Sequence, residues 1–531
     1  MRSVIFGADG LTFRILHPLM QRGELPNFQK LAQEGCEGIL ESKYPPLTPP
    51  AWISLSTGLK PARHGVYDFW EYEEQPEQGS ARKANVLTRR KGGKAIWNIL
   101  SEYGKQVLVV NVPMTYPPEA VNGIMVSGYM TPGSEVDFTY PQDFKAELFR
   151  AVPDYLIDLE NQDVFGGKKN EHGAKLIDTV LRMTERRIEL LKYLLKEKPW
   201  DFCYVAFVGP DRLQHSLWDE ITSLEPRAIE YYKLLDQALG LLLEQLGPDD
   251  TLFVVSDHGF HGASRLFDIN EYLYSKKLLV LNSNDQRSQA LRTARMKLLL
   301  RQTGLLALAR KLKRVLKKSG VMKGKGLSVY KPLLNDIDWE RTMAYVPSHS
   351  GFPSGFANIF LHPDMSAQRI QALCEDLKRQ VDPKTAKSLV DAIYTTEAFG
   401  EGPYAPGEPH LLVLPNEGIT FRMNLGNQWF WDDATNARDA NKRFGVHHKD
   451  GVLYAYGGGI KQGFNAPNTE VYDLVPTVLR SMGLPLPHAF DGRIIEELFV
   501  EHKQAEPAST TAGKSAEGGL ARRKLQKLLE V

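Results

Sequence analysis

Three apolar runs, each closed by an acid, constrain this chain more than anything else in it. Val4 to Phe6 leads into Gly7-Ala8-Asp9-Gly10, Phe202 to Val208 into Gly209-Pro210-Asp211, and Thr251 to Ser256 into Asp257-His258-Gly259. Short runs without polar alternation read as strands buried on both faces, as in parallel sheets covered by helices. The intervening segments supply the helices. Lys175 to Lys196 carries apolar residues at helical spacing, and Leu25 to Ala32, Lys94 to Tyr103, Tyr232 to Leu246, Ala367 to Gln380 and Tyr472 to Met482 read the same way. Gln106 to Val110, Ile124 to Ser127, His410 to Leu414 and Val452 to Tyr456 add strands. The expectation is an α/β fold, a three-layer sandwich with a mostly parallel central sheet and inserted cap segments.

In a parallel sheet the strand ends converge on one edge, where α/β proteins build their sites. Asp9, Asp211 and Asp257 would meet there, although an acid in such a place can equally cap the next helix. His258 is adjacent to Asp257, and His215 follows Asp211 by four residues, the same face of one helical turn. A further pair, His447-His448, lies in Gly445 to Gly451 just before a late strand. Aspartate and histidine are ligands that zinc accepts, and an open coordination position makes zinc a Lewis acid. A single Asp-His-Gly is more often structural, so the weight rests on the set.

Thr48 stands between two prolyl pairs, Pro45-Pro46 and Pro49-Pro50. Each proline fixes its own φ and biases the preceding residue away from helix, so the threonine sits on a stiff loop. Trp52 to Thr57 reads as the start of a helix or a short buried run. A hydroxyl held rigidly at the mouth of a helix is a way to display a nucleophile. Alone, the stretch reads first as a proline-rich connection with an incidental threonine. Lys60 to Gly65 forms a turn, and Tyr72 to Arg90 a polar surface excursion.

At 531 residues, 42% hydrophobic and 24% charged, the composition is that of a globular enzyme, and a net charge of +1 gives no global field that favours nucleic acid. Cys36, Cys203 and Cys374 are odd in number and far apart, which excludes a disulfide framework and a CxxC metal pair. The first residues run directly into a strand-like segment too short for a signal sequence, and no run of about 18 apolar residues follows. A cytoplasmic protein without a membrane span is the expectation. Gln286 to Asn335 contains no acid, and Leu305, Leu308, Leu312, Val315 and Leu316 share one helical face ringed by Lys and Arg. That stretch reads as a cap with a solvated outer face, or as a basic amphipathic helix in peripheral contact with an anionic membrane. The expected organisation is a discontinuous core over 1–275 and 340–500, a basic insertion at 276–339, a second insertion within 380–440, and a flexible tail with a short basic helix over 501–531.

Taken together, GADG at the start, PPLTPPAWISLSTG, GPDRLQH, SDHGF, GVHHKDG and AFDGR occur in order from Val4 to about Phe499. In this the chain resembles the type I phosphodiesterase and nucleotide pyrophosphatase branch of the alkaline phosphatase superfamily. The resemblance implies an alkaline phosphatase-like fold and two divalent metal ions, zinc first, with manganese or magnesium as alternatives. Asp211, His215 and His447 would hold one ion. Asp9, Asp257 and His258 would hold the other, with Thr48 also coordinated there as nucleophile. His447 rather than His448 follows from the family's G-x-H pattern after Gly445. The implied reaction is hydrolysis of a small phosphodiester or nucleotide pyrophosphate through a phospho-threonine, aided by backbone N–H groups of the helix after Thr48.

Two positions depart from that pattern. Where nucleotide pyrophosphatases carry an asparagine after a His-Gly turn, this chain has Phe69, and the Pro-Asn-His after the threonine becomes Pro50-Ala51-Trp52. Trp52, Tyr67 and Trp70 would form an apolar wall for a leaving group, or simply pack. The other readings are a phosphomonoesterase, a sulfatase or a phosphotransferase acting on lipid head-groups on the same fold, and, from a different class, a non-catalytic scaffold. Threonine in place of a cysteine argues against a sulfatase.

Overall fold

Ser3–Ala8 occupies the middle of a ten-stranded sheet in the computed structural model, with Phe202–Phe207 parallel on one side and Thr251–Val255 parallel on the other. The structure describes residues 1–42, 45–72, 84–87, 89–159, 169–282, 337–347, 355–405, 409–425, 429–432 and 443–500. Val107–Val110 and Gly123–Val126 continue the parallel part of the sheet. Asp450–Gly457 runs antiparallel to Thr251–Val255, Cys36–Glu41 antiparallel to that strand in turn, and Thr139–Tyr140 closes the opposite edge. The sheet is parallel at its centre and mixed at its margins.

Side-chain alternation divides each central strand between two helical layers. Val4, Phe6, Val205, Phe207 and Val254 face the helices Pro26–Glu34, Lys169–Glu197 and Pro226–Leu243. Ile5, Val107, Tyr204, Phe253 and Val255 face Thr48–Thr57, Ile96–Glu102 and Leu474–Ser481. Both faces are buried, so each Val, Ile or Phe contributes about 1.5–3 kcal/mol. The Thr48–Thr57 helix approaches the central strand closely. A Cβ at Gly7 would lie 2.5 Å from the Trp52 ring, so only glycine leaves room for that indole.

Register brings the acids together. Gly7 pairs with Val255 and Ala8 with Phe207. Asp9 and Asp257 each lie two residues past the Gly7–Val255 pair and leave the sheet at one edge. The Asp211 N–H donates to the Asp9 carbonyl at 3.0 Å, which fixes the third acid beside the first. Phe444–His448 pairs antiparallel with Gly259–Ala263, setting His447 opposite Phe260, and this ribbon carries His447 back over the sheet edge.

A second apolar cluster runs from Phe267 to Leu425 around two small sheets. It joins residues before the 380–440 segment to residues within it, because Ala357–Leu361 pairs with Leu411–Pro415. Buried ion pairs brace it, Arg265 to Asp382 at 2.8 Å and Arg422 to Asp268 at 2.7 Å. Leu47, Phe356, Phe399 and Leu412 join this layer to the loop before Thr48. The basic stretch 286–335, with its membrane reading, and the tail 501–531 lie outside the described residues, as does most of the run between Tyr72 and Arg90. Among the described residues no helix is long and apolar enough to cross a membrane.

Candidate active site

Thr48 is the first residue of its helix, 4% exposed, with Leu47 in extended conformation before it. The loop and the helix are tied to the acid edge at two points. The Pro46 carbonyl accepts from His447 Nδ1 at 2.9 Å, and Trp52 Nε1 donates to Asp9 Oδ2 at 3.0 Å. Thr48 and Trp52 are one helical turn apart, so the threonine shares the face that reaches Asp9. The prolines change what this helix start offers an anion. Pro49 and Pro50 have no N–H, and the Ala51 N–H donates to the Leu47 carbonyl at 3.1 Å. Of the first-turn donors only the Thr48 N–H is left, which corrects the expectation of several N–H groups there.

Asp211, His215 and His447 meet at one point. Asp211 Oδ1 lies 3.1 Å from His447 Nε2 and 3.2 Å from His215 Nε2, and the two Nε2 atoms are 3.1 Å apart. His215 Nδ1 faces the Gly445 carbonyl at 2.9 Å, as His447 Nδ1 faces that of Pro46. A ring nitrogen facing a carbonyl oxygen carries the proton, so in the neutral imidazole each Nε2 presents a lone pair. Three such atoms within 3.2 Å of one another are an arrangement that a shared proton or a bound cation relieves.

The second group repeats the pattern. His258 Nδ1 faces the Gly259 carbonyl at 3.2 Å, and its Nε2 lies 3.5 Å from Asp9 Oδ1 and 3.3 Å from Asp257 Oδ2. These three buried atoms have no hydrogen-bond donor, whereas the other oxygens are held, Asp9 Oδ2 by Trp52 and Asp257 Oδ1 by the Gly10 N–H at 3.1 Å. Orphaned buried acceptors are costly unless a cation joins them. The His258 and His447 rings stack at 3.6 Å between centroids, so the groups adjoin, and His258 lies within ligand range of Asp211 and His447 as well. Six sequence-selected side chains thus form two acceptor sets suited to divalent metals.

The electrostatics agree. Burial, then repulsion from Asp257 and Asp211, pushes the Asp9 carboxyl well above its ordinary range. Asp257 rises for the same reasons, burial first, against the opposing Gly10 bond. Burial also pushes Asp211 upward, but His215, His447 and Arg212 outweigh it and hold that carboxyl low. His258 is driven down by burial and then by His447. Strongly perturbed groups crowded into one buried cluster are what a functional site commonly shows.

The remaining candidates fall differently. Trp52 is fully buried and holds Asp9, so it does not line a leaving-group wall; its indole is committed to the sheet beneath it. Tyr67 is half-buried, its hydroxyl donates to the Tyr404 carbonyl at 3.1 Å, and its ring meets Phe399 edge-on. Trp70 opens the strand Trp70–Tyr72, and its side chain lies outside the described residues. His448 points elsewhere, 3.5 Å from Asp450. Sequence reasoning missed Arg212, whose guanidinium donates to Asp211 Oδ2 at 3.1 Å. A basic residue directly after the acid in GPDRLQH was the available signal.

His64, from the turn after Lys60, ends the short helix Pro61–His64 and is structural. Val66 N–H donates to its Nδ1 at 3.2 Å, so Nε2 carries the proton and donates to Ser54 Oγ at 3.0 Å, on the Thr48 helix. Burial, then Arg90, pushes its pKa from 6.5 down to about 3. Below pH 6.5 the unfolded histidine takes up a proton that the folded one refuses, so stability falls as pH drops towards 3. Each unit across that window costs about 1.4 kcal/mol. Denaturant unfolding at several pH values should show this slope, and His64→Gln should flatten it; identical slopes would refute burial as the cause.

Solved structures share this architecture. A phosphonoacetate hydrolase from Sinorhizobium meliloti 1021, bound to phosphonoformate, is similar with a TM-score of 0.55 at 14% identity, over 90% of this chain and 94% of that one. Human ectonucleotide pyrophosphatase/phosphodiesterase 5 gives a TM-score of 0.50 at 13% identity, over 94% of this chain and 100% of that one. At such identities the likeness is one of fold, the alkaline phosphatase-like α/β sandwich. No curated protein matches the chain. The family model described as type I phosphodiesterase/nucleotide pyrophosphatase matches residues 3–341, well over half of the 531. The chain therefore belongs to the type I phosphodiesterase/nucleotide pyrophosphatase family and is a hydrolase of phosphoester bonds.

Proposed function

We propose that this enzyme hydrolyses a small phosphodiester or pyrophosphate through a covalent phospho-threonine on Thr48, with two zinc ions at the acid edge. The observation that carries the reading is the pair of adjoining acceptor-only sets beside the helix that Thr48 opens. Asp211, His215 and His447 would hold one ion, and Asp9, Asp257 and His258 the other, together with Thr48. Mixed imidazole and carboxylate ligands suit zinc, with manganese next. When bound, the ions supply Lewis-acid stabilisation of the attacking and departing oxygens.

The chain's own residues supply position. Trp52 and Gly10 hold Asp9 and Asp257 so that one oxygen of each faces inward. The prolyl brace, fastened to His447 through the Pro46 carbonyl, keeps the Thr48 hydroxyl in place. Its oxygen, losing the proton, bonds to phosphorus as the ester oxygen leaves, and water later releases the phosphoryl group. Phe69, half-buried with its ring edge-on to Tyr129 at 6.0 Å, replaces an amide with an apolar edge, which favours leaving groups other than a nucleotide.

The test is a panel on zinc-reconstituted protein. A nitrophenyl phosphodiester should turn over at least about tenfold faster, in kcat/KM, than the matching monoester, phosphonate or sulfate ester, a difference of about 1.4 kcal/mol in transition-state binding. A monoester preferred over the diester would replace this reading with a phosphomonoesterase.

A further inference from the structure

Arg212 lies half-buried beside the site with both of its Nη atoms engaged. Nη1 donates to Asp211 Oδ2 at 3.1 Å and Nη2 to Asp158 Oδ2 at 3.0 Å, while the guanidinium lies 4.2 Å above the Tyr129 ring. Asp158 is itself held, its Oδ1 accepting from the Leu159 N–H at 2.7 Å. The loop behind it is pinned by Arg187, which donates to the Ile157 carbonyl at 2.9 Å and to the Ala206 carbonyl at 2.8 Å. A continuous run of bonds therefore leads from the central strand, through the Asp158 loop and Arg212, to one oxygen of Asp211.

The consequence lies in which oxygen. With Oδ2 occupied, Asp211 presents Oδ1 alone to His215 and His447, the point at which their bare Nε2 atoms converge. The other two acids are held in the same way, but by neutral donors, Trp52 and the Gly10 N–H. Arg212 differs because it brings a positive charge next to a cation site. On charge alone that weakens cation binding, so its placement calls for a geometric return.

We propose that Arg212 is a positioning residue for the Asp211 centre: its guanidinium takes Oδ2, is held from behind by Asp158, and fixes Asp211 as a ligand through Oδ1 only. This rests on the metal reading above. Two readings of Arg212 predict opposite signs. If it acts only as a charge, removing it tightens cation binding at that centre, and Arg212→Lys leaves affinity unchanged. If it positions Asp211, Arg212→Met weakens binding there by about 10- to 100-fold, the usual effect of losing a partner behind a ligand. Arg212→Lys then keeps most of the loss, because a lysine cannot reproduce the planar fork across two carboxylates.

Calorimetric titration of metal-free, full-length protein with Zn2+ decides the matter, with Asp211→Asn as reference. The expected result is two ions for the wild type, one for Asp211→Asn, and for both Arg212 variants one ion at wild-type affinity and one weakened. If Asp211→Asn loses an ion while the Arg212 variants bind both as tightly as the wild type or more tightly, the positioning role is overturned and the metal reading stands. If Asp211→Asn and wild type bind Zn2+ identically, the metal reading itself fails and takes this role with it. Should Arg212→Met not fold, Arg212→Lys, which retains the charge, carries the decision alone.

Discussion

Thr48→Ala lowers turnover of the preferred phosphoester by at least about 10³-fold, the scale on which loss of a nucleophile acts. The folded state has little reason to suffer. Alanine is the better helix former at that position, and the helix stays fastened by Trp52 to Asp9 and by its Leu47–Ala51 hydrogen bond. The acceptor atoms of Asp9, Asp211, Asp257 and the three histidines are untouched, so zinc should still bind. The check is turnover measured beside metal content, together with acid quenching during turnover. Wild type should trap the phosphorus-bearing half of the substrate on the protein, and the variant should trap none. Equal turnover in the two proteins would remove Thr48 from the mechanism.

The sheet was legible because its central strands are apolar on both faces. Ser3–Ala8, Phe202–Phe207 and Thr251–Val255 fall within a residue or two of the runs from which they were read. The helix Phe13–Gln21 escaped notice because Pro18 interrupts it, even though Thr12 caps its start. The small sheets were hidden for another reason. Ala357–Leu361 and Val390–Thr395 acquire their meaning from strands they pair with far along the chain, which local pattern does not report. The acids and histidines were visible because the topology of a parallel sheet forces strand ends together, whatever fills the loops. What stayed invisible was the layer behind them. Trp52, Arg212 and Gly10 each occupy the second oxygen of an acid, and that choice depends on direction in space. Trp52 shows the difference, since the sequence offered it as a leaving-group wall or as packing, and only the fold showed its indole bonded to Asp9.

Asp257→Asn should move stability in opposite directions with and without metal. Asp257 Oδ1 accepts from the Gly10 N–H, while Oδ2 points unpaired towards His258 Nε2 at 3.3 Å, with Asp9 Oδ1 beyond it. An asparagine keeps the first contact through its carbonyl and sets an NH2 where Oδ2 was. That group donates to two acceptors which the ionised carboxylate leaves without a donor, and it replaces a carboxyl whose ionisation burial and the neighbouring acids oppose. The metal-free variant should therefore be about 1–3 kcal/mol more stable than metal-free wild type. With zinc the order reverses. Wild type gains stability in proportion to the logarithm of free zinc over its dissociation constant, about 4 kcal/mol at a thousandfold excess. The variant has lost a charged ligand at the Asp9 centre, so it should gain only what the Asp211 centre provides, and its turnover should fall with Thr48 no longer activated. Thermal unfolding of both proteins, after chelation and again with added zinc, shows the crossing directly. A variant less stable than wild type in the metal-free state would mean that Asp257 is held by something other than a cation, and the Asp9 centre would lose its claim to be a metal site.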